Sequence, residues 1–423
     1  MRARLFLAAA ALAALLVAFA VSVAGASPRS GLDRSFGKDG VVRIKPPFPG
    51  NFFPRAWISG FAAAPDGSAY VLGEEVECGK AECNHNFLAR YSPDGSRDKS
   101  YGEGGALVLP SAPLPAVLAD GAGRAVLATV AGPTVAVRRL TPAGDPDGSF
   151  GRAGTVRYDC GCGAAAVHLF RAPAGRILVD ASTVLSRHGR EGVATRIVLF
   201  RLLPDGRLDR SFGNAGTTRF TIDRPGPPHS VVVGPGGAIF FGGSGSGGPR
   251  EIYLDRVAPS GRLDRRFTRV AAHAVRRLNA MGEFPELAAL APRADGGLDV
   301  LGTNGSGHGF DLRLRADGRL DGSFAKRALL RLPFIVESAV PGANGAVVVA
   351  GYRPYATYRA FLVRRDGTLD PAFHKAKGIL IPIIGSPLRL AAQSGGRVLV
   401  TDQGRRFCRE GCGPVPAMVR IRE

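Results

Sequence analysis

The chain has 423 residues, 58 of them glycine and 31 proline, with 45% apolar and 21% charged residues. That apolar share supports a large core, and glycine plus proline stay below the level of a low-complexity chain, so disorder, collagen and coiled coil are excluded. Lys+Arg number 55 against 35 Asp+Glu, a net charge of +20 carried almost wholly by arginine.

The N-terminus comes first. Arg2 and Arg4 precede an apolar run from Leu5 to Ala24, and Ala24-Gly25-Ala26 supplies the small-x-small pattern of a cleavage site. Residues 1–26 therefore read as a signal peptide, with a single domain over 27–423; an uncleaved N-terminal anchor is the alternative, because a run of this length also spans a bilayer. Either way the remainder is expected to be secreted or held at the cell surface, with no later membrane span. Outside the cell such a charge favours anionic partners, and nothing in the sequence matches a nucleic-acid-binding motif.

Six cysteines form three close pairs, Cys78 with Cys83, Cys160 with Cys162, and Cys408 with Cys412, and in an exported chain these are expected to be disulfides. A Cys160–Cys162 bridge would be strained, so a redox or metal role stands as its alternative. The histidines have no ligand spacing, and neither a metal nor another cofactor is expected.

One motif governs the rest. Asp33, Asp98, Asp147, Asp209, Asp264, Asp321 and Asp370 are each followed three residues later by an aromatic: Phe36, Tyr101, Phe150, Phe212, Phe267, Phe324 and Phe373. Between motifs lie β-rich apolar runs joined by Gly turns such as Pro65-Asp66-Gly67 and Asn344-Gly345. Taking these runs as strands a, b and c and the motif as strand d gives seven four-stranded antiparallel units, hence an all-β, seven-bladed propeller. The chain starts on a d strand and ends on a c strand, so the N-terminal strand should complete the last blade by pairing with the C-terminal one. One helix, residues 269–281, is expected in a connection between units.

Most c–d turns have the form x-Pro-Asp-Gly-x, which suits a three-residue hairpin loop. That register sets Arg90 opposite Asp98, Arg139 opposite Asp147, Arg201 opposite Asp209, Arg256 opposite Asp264, and Arg313 opposite Asp321. Asp370 faces Leu362, and at ring closure Asp33 should meet Arg420. Cross-strand pairs of this kind contribute about 0.2–1 kcal/mol each, so these aspartates are read as structural rather than catalytic.

The recurring Gly-x-Leu-Asp-x-Ser-Phe-Gly-x-x-Gly, seen in Gly31 to Gly40 and in Gly206 to Gly216, resembles the delta-60 repeat family of bacterial β-propellers over residues 31 to the end. Thr268, Ala325 and His374 depart from it at the glycine after the aromatic. The resemblance implies an exported propeller of unassigned activity and brings no catalytic residues.

Function is expected on the face carrying the b–c and d–a connections, whose lengths vary. Trp57, Phe52, Phe53, Tyr352, Tyr355 and Tyr358 are the ligand-binding candidates there, with Phe48, Phe52 and Phe53 alternatively plugging the ring closure as core. The leading reading is a monomeric, non-catalytic module binding a glycan, anionic surface polymer or protein. The alternative is a hydrolase or lyase at the mouth of the central channel, for which Glu74, Glu75, His188, His273 and His374 lie in suitable loops without a spacing that makes them converge.

Overall fold

The chain forms a seven-bladed β-propeller in the computed structural model, which describes residues 31–47, 56–76, 84–110, 116–161, 163, 166–187, 190–222, 230–244, 251–279, 285–353, 357–373, 375, 377–382, 388–402 and 416–423. Strands β1 (Gly31–Leu32) and β2 (Val41–Arg43) come first. Blade one holds β3 (Ala56–Ala63), β4 (Ala69–Val76), β5 (Asn84–Tyr91) and β6 (Ala106–Leu109); blade two holds β7 (Ala116–Ala119), β8 (Ala125–Ala131), β9 (Thr134–Arg139) and β10 (Thr155–Asp159). Blade three holds β11 (Ala166–Ala172), β12 (Arg176–Arg187), β13 (Arg190–Leu202) and β14 (Thr217–Ile222). Blade four holds β15 (Ser230–Val233), β16 (Ile239–Ser244) and β17 (Ile252–Val257), followed by helix α1 (Arg265–Asn279). Blade five holds β18 (Glu286–Pro292), β19 (Leu298–Thr303), β20 (Gly309–Leu314) and β21 (Leu329–Leu332); blade six holds β22 (Ile335–Pro341), β23 (Val347–Tyr352), β24 (Arg359–Val363) and β25 (Ile379–Leu380). Blade seven holds β26 (Arg389–Gln393), β27 (Arg397–Thr401) and β28 (Ala417–Arg422).

The first strands of the blades lie side by side around the axis, from β3 through to β26 and back to β3. Closure is made by the N-terminal segment: Gly31 pairs with Arg422 and Leu32 with Ile421, and β2 runs beside β28 with Val41 opposite Val419. Closing the array this way removes the open sheet edges on which other chains could pair.

The core is divided among the seams between blades. Seven clusters of buried apolar side chains fill them, and each contains one motif aromatic, with Phe36 between blades seven and one and Tyr101 between blades one and two. Each of these rings is at most 1% exposed. Full burial of such a side chain is worth about 1.5–3 kcal/mol, so the aromatic is the main reason adjacent blades stay together.

The motif itself is not strand d, contrary to the expectation from the sequence. After one bridge to strand c, such as Leu202 with Leu208, the chain turns back, and the outer strand forms from the residues that follow, β6, β10, β14, β21 and β25. The Asp-x-Ser portion makes this turn: Asp33 Oδ1 accepts the Ser35 hydroxyl at 2.6 Å and its amide at 3.2 Å. Gly37 then takes φ 61, and a Cβ there would stand 2.5 Å from the Val41 carbonyl oxygen, so glycine is required.

Blade four departs. It has three strands, and α1 packs against β17 in place of a fourth. Its motif reads Asp264-Arg265-Arg266-Phe267-Thr268, without the serine that closes the turn or the glycine that reverses the chain. Asp264 Oδ1 instead accepts the Phe267 amide at 2.9 Å and the Asp264 carbonyl accepts the Thr268 amide at 3.1 Å, the bonds of a helix N-cap. The helix therefore begins inside the motif, earlier than the expected 269–281. In blade five Ala325 keeps the turn, at φ 44.

Candidate functional site

Except for Arg90, whose second partner is Asp66 of its own blade, the repeated arginine of strand c clasps two blades at once. Arg90 lies 2.7 Å from Asp98, Arg139 2.8 Å from Asp147, Arg201 2.7 Å from Asp209, Arg256 2.5 Å from Asp264, and Arg420 2.8 Å from Asp33. The guanidinium also covers the motif ring of its own blade, 4.6 Å from the centre of Phe150 for Arg139 and 3.9 Å from Phe324 for Arg313. Its far end donates to the c–d turn of the next blade: Arg139 to Pro204 O at 2.5 Å, Arg201 to Pro259 O at 2.8 Å, Arg256 to Ala316 O at 2.5 Å, Arg313 to Arg365 O at 2.5 Å, and Arg420 to Pro93 O. A backbone bond reinforces the clasp, as from Gly37 N to Asp94 O at 2.7 Å and Gly151 N to Asp205 O at 2.8 Å. Local spacing points to the first of these contacts; the bonds to the next blade depend on how blades stack and leave no signal in the hairpin itself.

The Arg313–Asp321 pair is a correction. Backbone pairing holds, with Asp321 N on Arg313 O at 2.9 Å, but the Arg313 side chain turns to Asp299 at 2.5 Å. Asp299 stands across the strand pair from Arg313 and also takes Arg293 at 3.4 Å. Asp311, two residues before Arg313 and fully buried, has neither carboxyl oxygen hydrogen-bonded. Burial first, and then the Asp299 charge, pushes its pKa well above the ordinary carboxylate value. Asp370, opposite Leu362, is met instead by Arg364 at 2.9 Å.

Two openings among the described residues are lined by more than one arginine. At the a–b end of the axis a bowl of about 940 Å³ is formed by the ends of the inner strands of blades three to six. Arg171, Arg293 and Arg365 line it. Arg171 reaches across the mouth, donating Nε to Ala119 O at 2.5 Å and Nη2 to Ala63 O, and burial lowers its pKa from the usual guanidinium value. Within the same ring of inner strands, the half-exposed His168 has Nδ1 3.2 Å from the buried Asp180 across the β11–β12 pair. That register-defined pair was not evident from the scattered histidines.

The second opening, about 470 Å³, lies between blades five and six, lined by Phe334 from their d–a connection and by Tyr352, Arg353 and Arg359 around the b–c connection, with Phe361 and Lys377 beside them. Phe334 and Phe361 stack at 4.0 Å with planes 7° apart. Tyr352 meets Tyr358 edge to face at 5.2 Å, and the Tyr358 hydroxyl donates to Glu337 at 3.5 Å. Arg359 donates to Gly378 O at 2.9 Å and Arg353 to Pro333 O at 3.0 Å, so the two guanidiniums are fixed by carbonyls rather than neutralised by acids. Two of the aromatic candidates, Tyr352 and Tyr358, thus meet at this opening, while Trp57 sits opposite Glu74 in blade one.

Phe52, Phe53, Tyr355, His188, His374, Cys78, Cys83, Cys162, Cys408 and Cys412, together with residues 1–26, lie outside the described residues. Cys160 is buried, its Sγ 3.0 Å from Pro133 O. Glu74 is buried in blade one and His273 is exposed on the blade-four helix, so the structure does not bring these two together. Among the described residues no three His, Cys, Asp or Glu side chains are grouped as a metal site would need, and no helix is long and apolar enough to cross a membrane.

No protein-family model matches the chain, and no curated protein matches it. Among solved structures it is similar to the AfRom2 CNH domain, at 10% identity over 90% of this chain and 98% of that one, with a TM-score of 0.47. It is also similar to the periplasmic gluconolactonase PpgL of Pseudomonas aeruginosa, at 14% identity over 74% and 83% of the two chains, with a TM-score of 0.42. Regucalcin, a calcium-binding protein of Agrobacterium tumefaciens, is similar at 14% identity over 72% and 84%, with a TM-score of 0.37.

Proposed function

We propose that the chain is an exported binding module that holds an anionic glycan or surface polymer in the opening between blades five and six. The observation that carries this is the lining: Arg353, Arg359 and Lys377 stand beside Tyr352, and among the described residues no acid lines the opening. Phe334 and Phe361 are buried, so the partly exposed Tyr352 is the ring that offers a face to a sugar unit, and the cations select units bearing carboxylate, sulfate or phosphate. A net charge of +20 would draw such a polymer in from a distance. Binding is favoured over hydrolysis because the axial mouth is lined by arginines, whereas a hydrolase or lyase needs acid and base groups converging on one bond.

The test is retention of the full chain on an immobilised polyuronate and on neutral dextran, at about 50 mM and about 500 mM NaCl, where screening shortens the reach of charge severalfold. Retention by the polyuronate alone, lost at high salt and weakened in R353A/K377A and in Y352A, is the expected result. Equal retention by dextran, or an R353A/K377A variant that elutes with the parent, would overturn the reading.

A further inference from the structure

The axial bowl lies at the other end of the blades from the opening assigned above, and its chemistry is different. Four of its walls are prolines, Pro173, Pro235, Pro292 and Pro341, one from each of blades three to six. Proline fixes φ and has no amide hydrogen, so these walls are stiff and present carbon rather than donors. The acids near this mouth are engaged: Asp120 with Arg124 at 2.9 Å, Asp295 with Arg293 at 3.2 Å, and Glu423 with the Ala343 amide at 2.7 Å. Arg293 is in addition shared with Asp299 and Asp321, so its charge is compensated.

Arg171 and Arg365 are left. Arg171 is held by two carbonyls, which orient the guanidinium without cancelling its charge, and no carboxylate lies within ion-pairing distance of it among the described residues. Its lowered pKa has burial as the first cause, offset only in part by the Asp120 charge. Arg365 is exposed, and the same is true of its pairing among the described residues; only its backbone carbonyl is used, by Arg313. A cation fixed by carbonyls, with donors unspent, gains from an anion that brings its own charge into the bowl.

We infer that the axial bowl is a second ligand site, taking a carboxylate carried on a compact apolar body, with Arg171 and Arg365 on the carboxylate and the proline walls around the body. A volume of about 940 Å³ is in the range of small-molecule pockets and far too small for a folded partner. The site stands independently of the polymer reading, since it shares no lining residue with the opening between blades five and six.

Titration calorimetry of the full chain with benzoate, and with benzyl alcohol as its uncharged counterpart, tests this. Benzoate should bind at one site, at least tenfold more tightly than the alcohol, and R365A should weaken it about tenfold, the usual loss for a charge-assisted hydrogen bond. R353A/K377A should leave benzoate binding unchanged while weakening polyuronate retention, which separates failure of one site from failure of the other. R171Q, checked by circular dichroism for folding, should weaken benzoate as R365A does. Absence of saturable benzoate binding, equal affinity for the alcohol, or full affinity in both R365A and a folded R171Q would each overturn the assignment.

Discussion

Asp33 gathers more bonds than any hairpin argument assigns to it. One oxygen takes the Ser35 amide, the Ser35 hydroxyl and Arg422, and the other takes Arg420 at 2.8 Å. Burial alone would raise its pKa, but the bonds from Arg422, Ser35 and Arg420 more than offset that and hold the carboxyl well below the ordinary range. Removing one member of such a buried pair strands the other, at a cost of about 3–5 kcal/mol. Asp33→Ala should therefore lower the denaturant midpoint sharply. Asp205→Ala, whose partner Arg207 is 78% exposed, should leave it nearly unchanged. Comparable losses in the two variants would contradict the role given to Asp33. The Asp33–Arg420 partnership is legible in the sequence because the other repeats set the motif aspartate opposite a strand-c arginine, and the two chain ends supply the missing pair. Arg422 is not, because it stands opposite Gly31 and reaches Asp33 only through the length of its side chain.

Single elements show where the repeat bends. In blade four the loss of serine and glycine after Asp264 is visible in the sequence, yet its outcome, a helix started by the motif aspartate, depends on α1 finding Phe240, Leu290 and Leu312 to pack against. In blade five the exception was hidden. The position of Asp311 is occupied by Leu88, Val137, Leu199, Leu254 and Met418 in other blades, all buried. Leu301, opposite Asp311, lies in the apolar seam with Phe324, Phe334 and Val347, so the carboxyl enters a dry face. The charged groups near it are Asp299, Arg313 and Arg293, and the two carboxyls titrate as a linked pair. A raised folded pKa means stability that is complete below the unfolded value, near 4, and is lost as pH rises through the folded one. Asp311→Leu should thus stabilise the chain by about 1–3 kcal/mol at about pH 8 and by much less at about pH 4. A gain independent of pH, measured by urea unfolding at both values, would show that Asp311 does not titrate in this way.

At the scale of the molecule the motif carboxylates act with the opposite sign. Asp147 is held down to about 2, first by the Ser149 hydroxyl and then by Arg139, and Asp33, Asp209, Asp264, Asp321 and Asp370 are lowered as well. Stability from depressed carboxyls is present above about pH 4 and lost as pH falls through the folded values. Acidification from about pH 4 towards 2 should therefore release the blades together, seen as a steep fall in thermal midpoint, and a flat profile there would count against the clasps. The ring itself is legible from seven motifs and a chain that begins on one strand type and ends on another. The two openings are less so: Tyr352 and Tyr358 are close in sequence, but Phe334 meets Phe361, and Arg171 meets the prolines of three other blades, only after the ring has closed.

All the clasps point the same way round. Blades two, three, five and seven each grip the turn of the next through an arginine and a backbone amide, as blade two grips blade three by Arg139 on Pro204 and Gly151 on Asp205. In blade four the motif amide at Thr268 is spent inside α1, leaving Arg256 on Ala316 as the forward polar grip, while Gly213 still holds Ser260 from behind at 2.7 Å. The propeller therefore behaves like a one-way chain of unequal links, lighter among the described residues where blade one holds blade two by the Gly102 amide on Ala143 without an arginine, where blade four holds blade five by an arginine without the amide, and where Leu362 stands in the arginine's place in blade six. Strain applied around the circle should be relieved first at such joins.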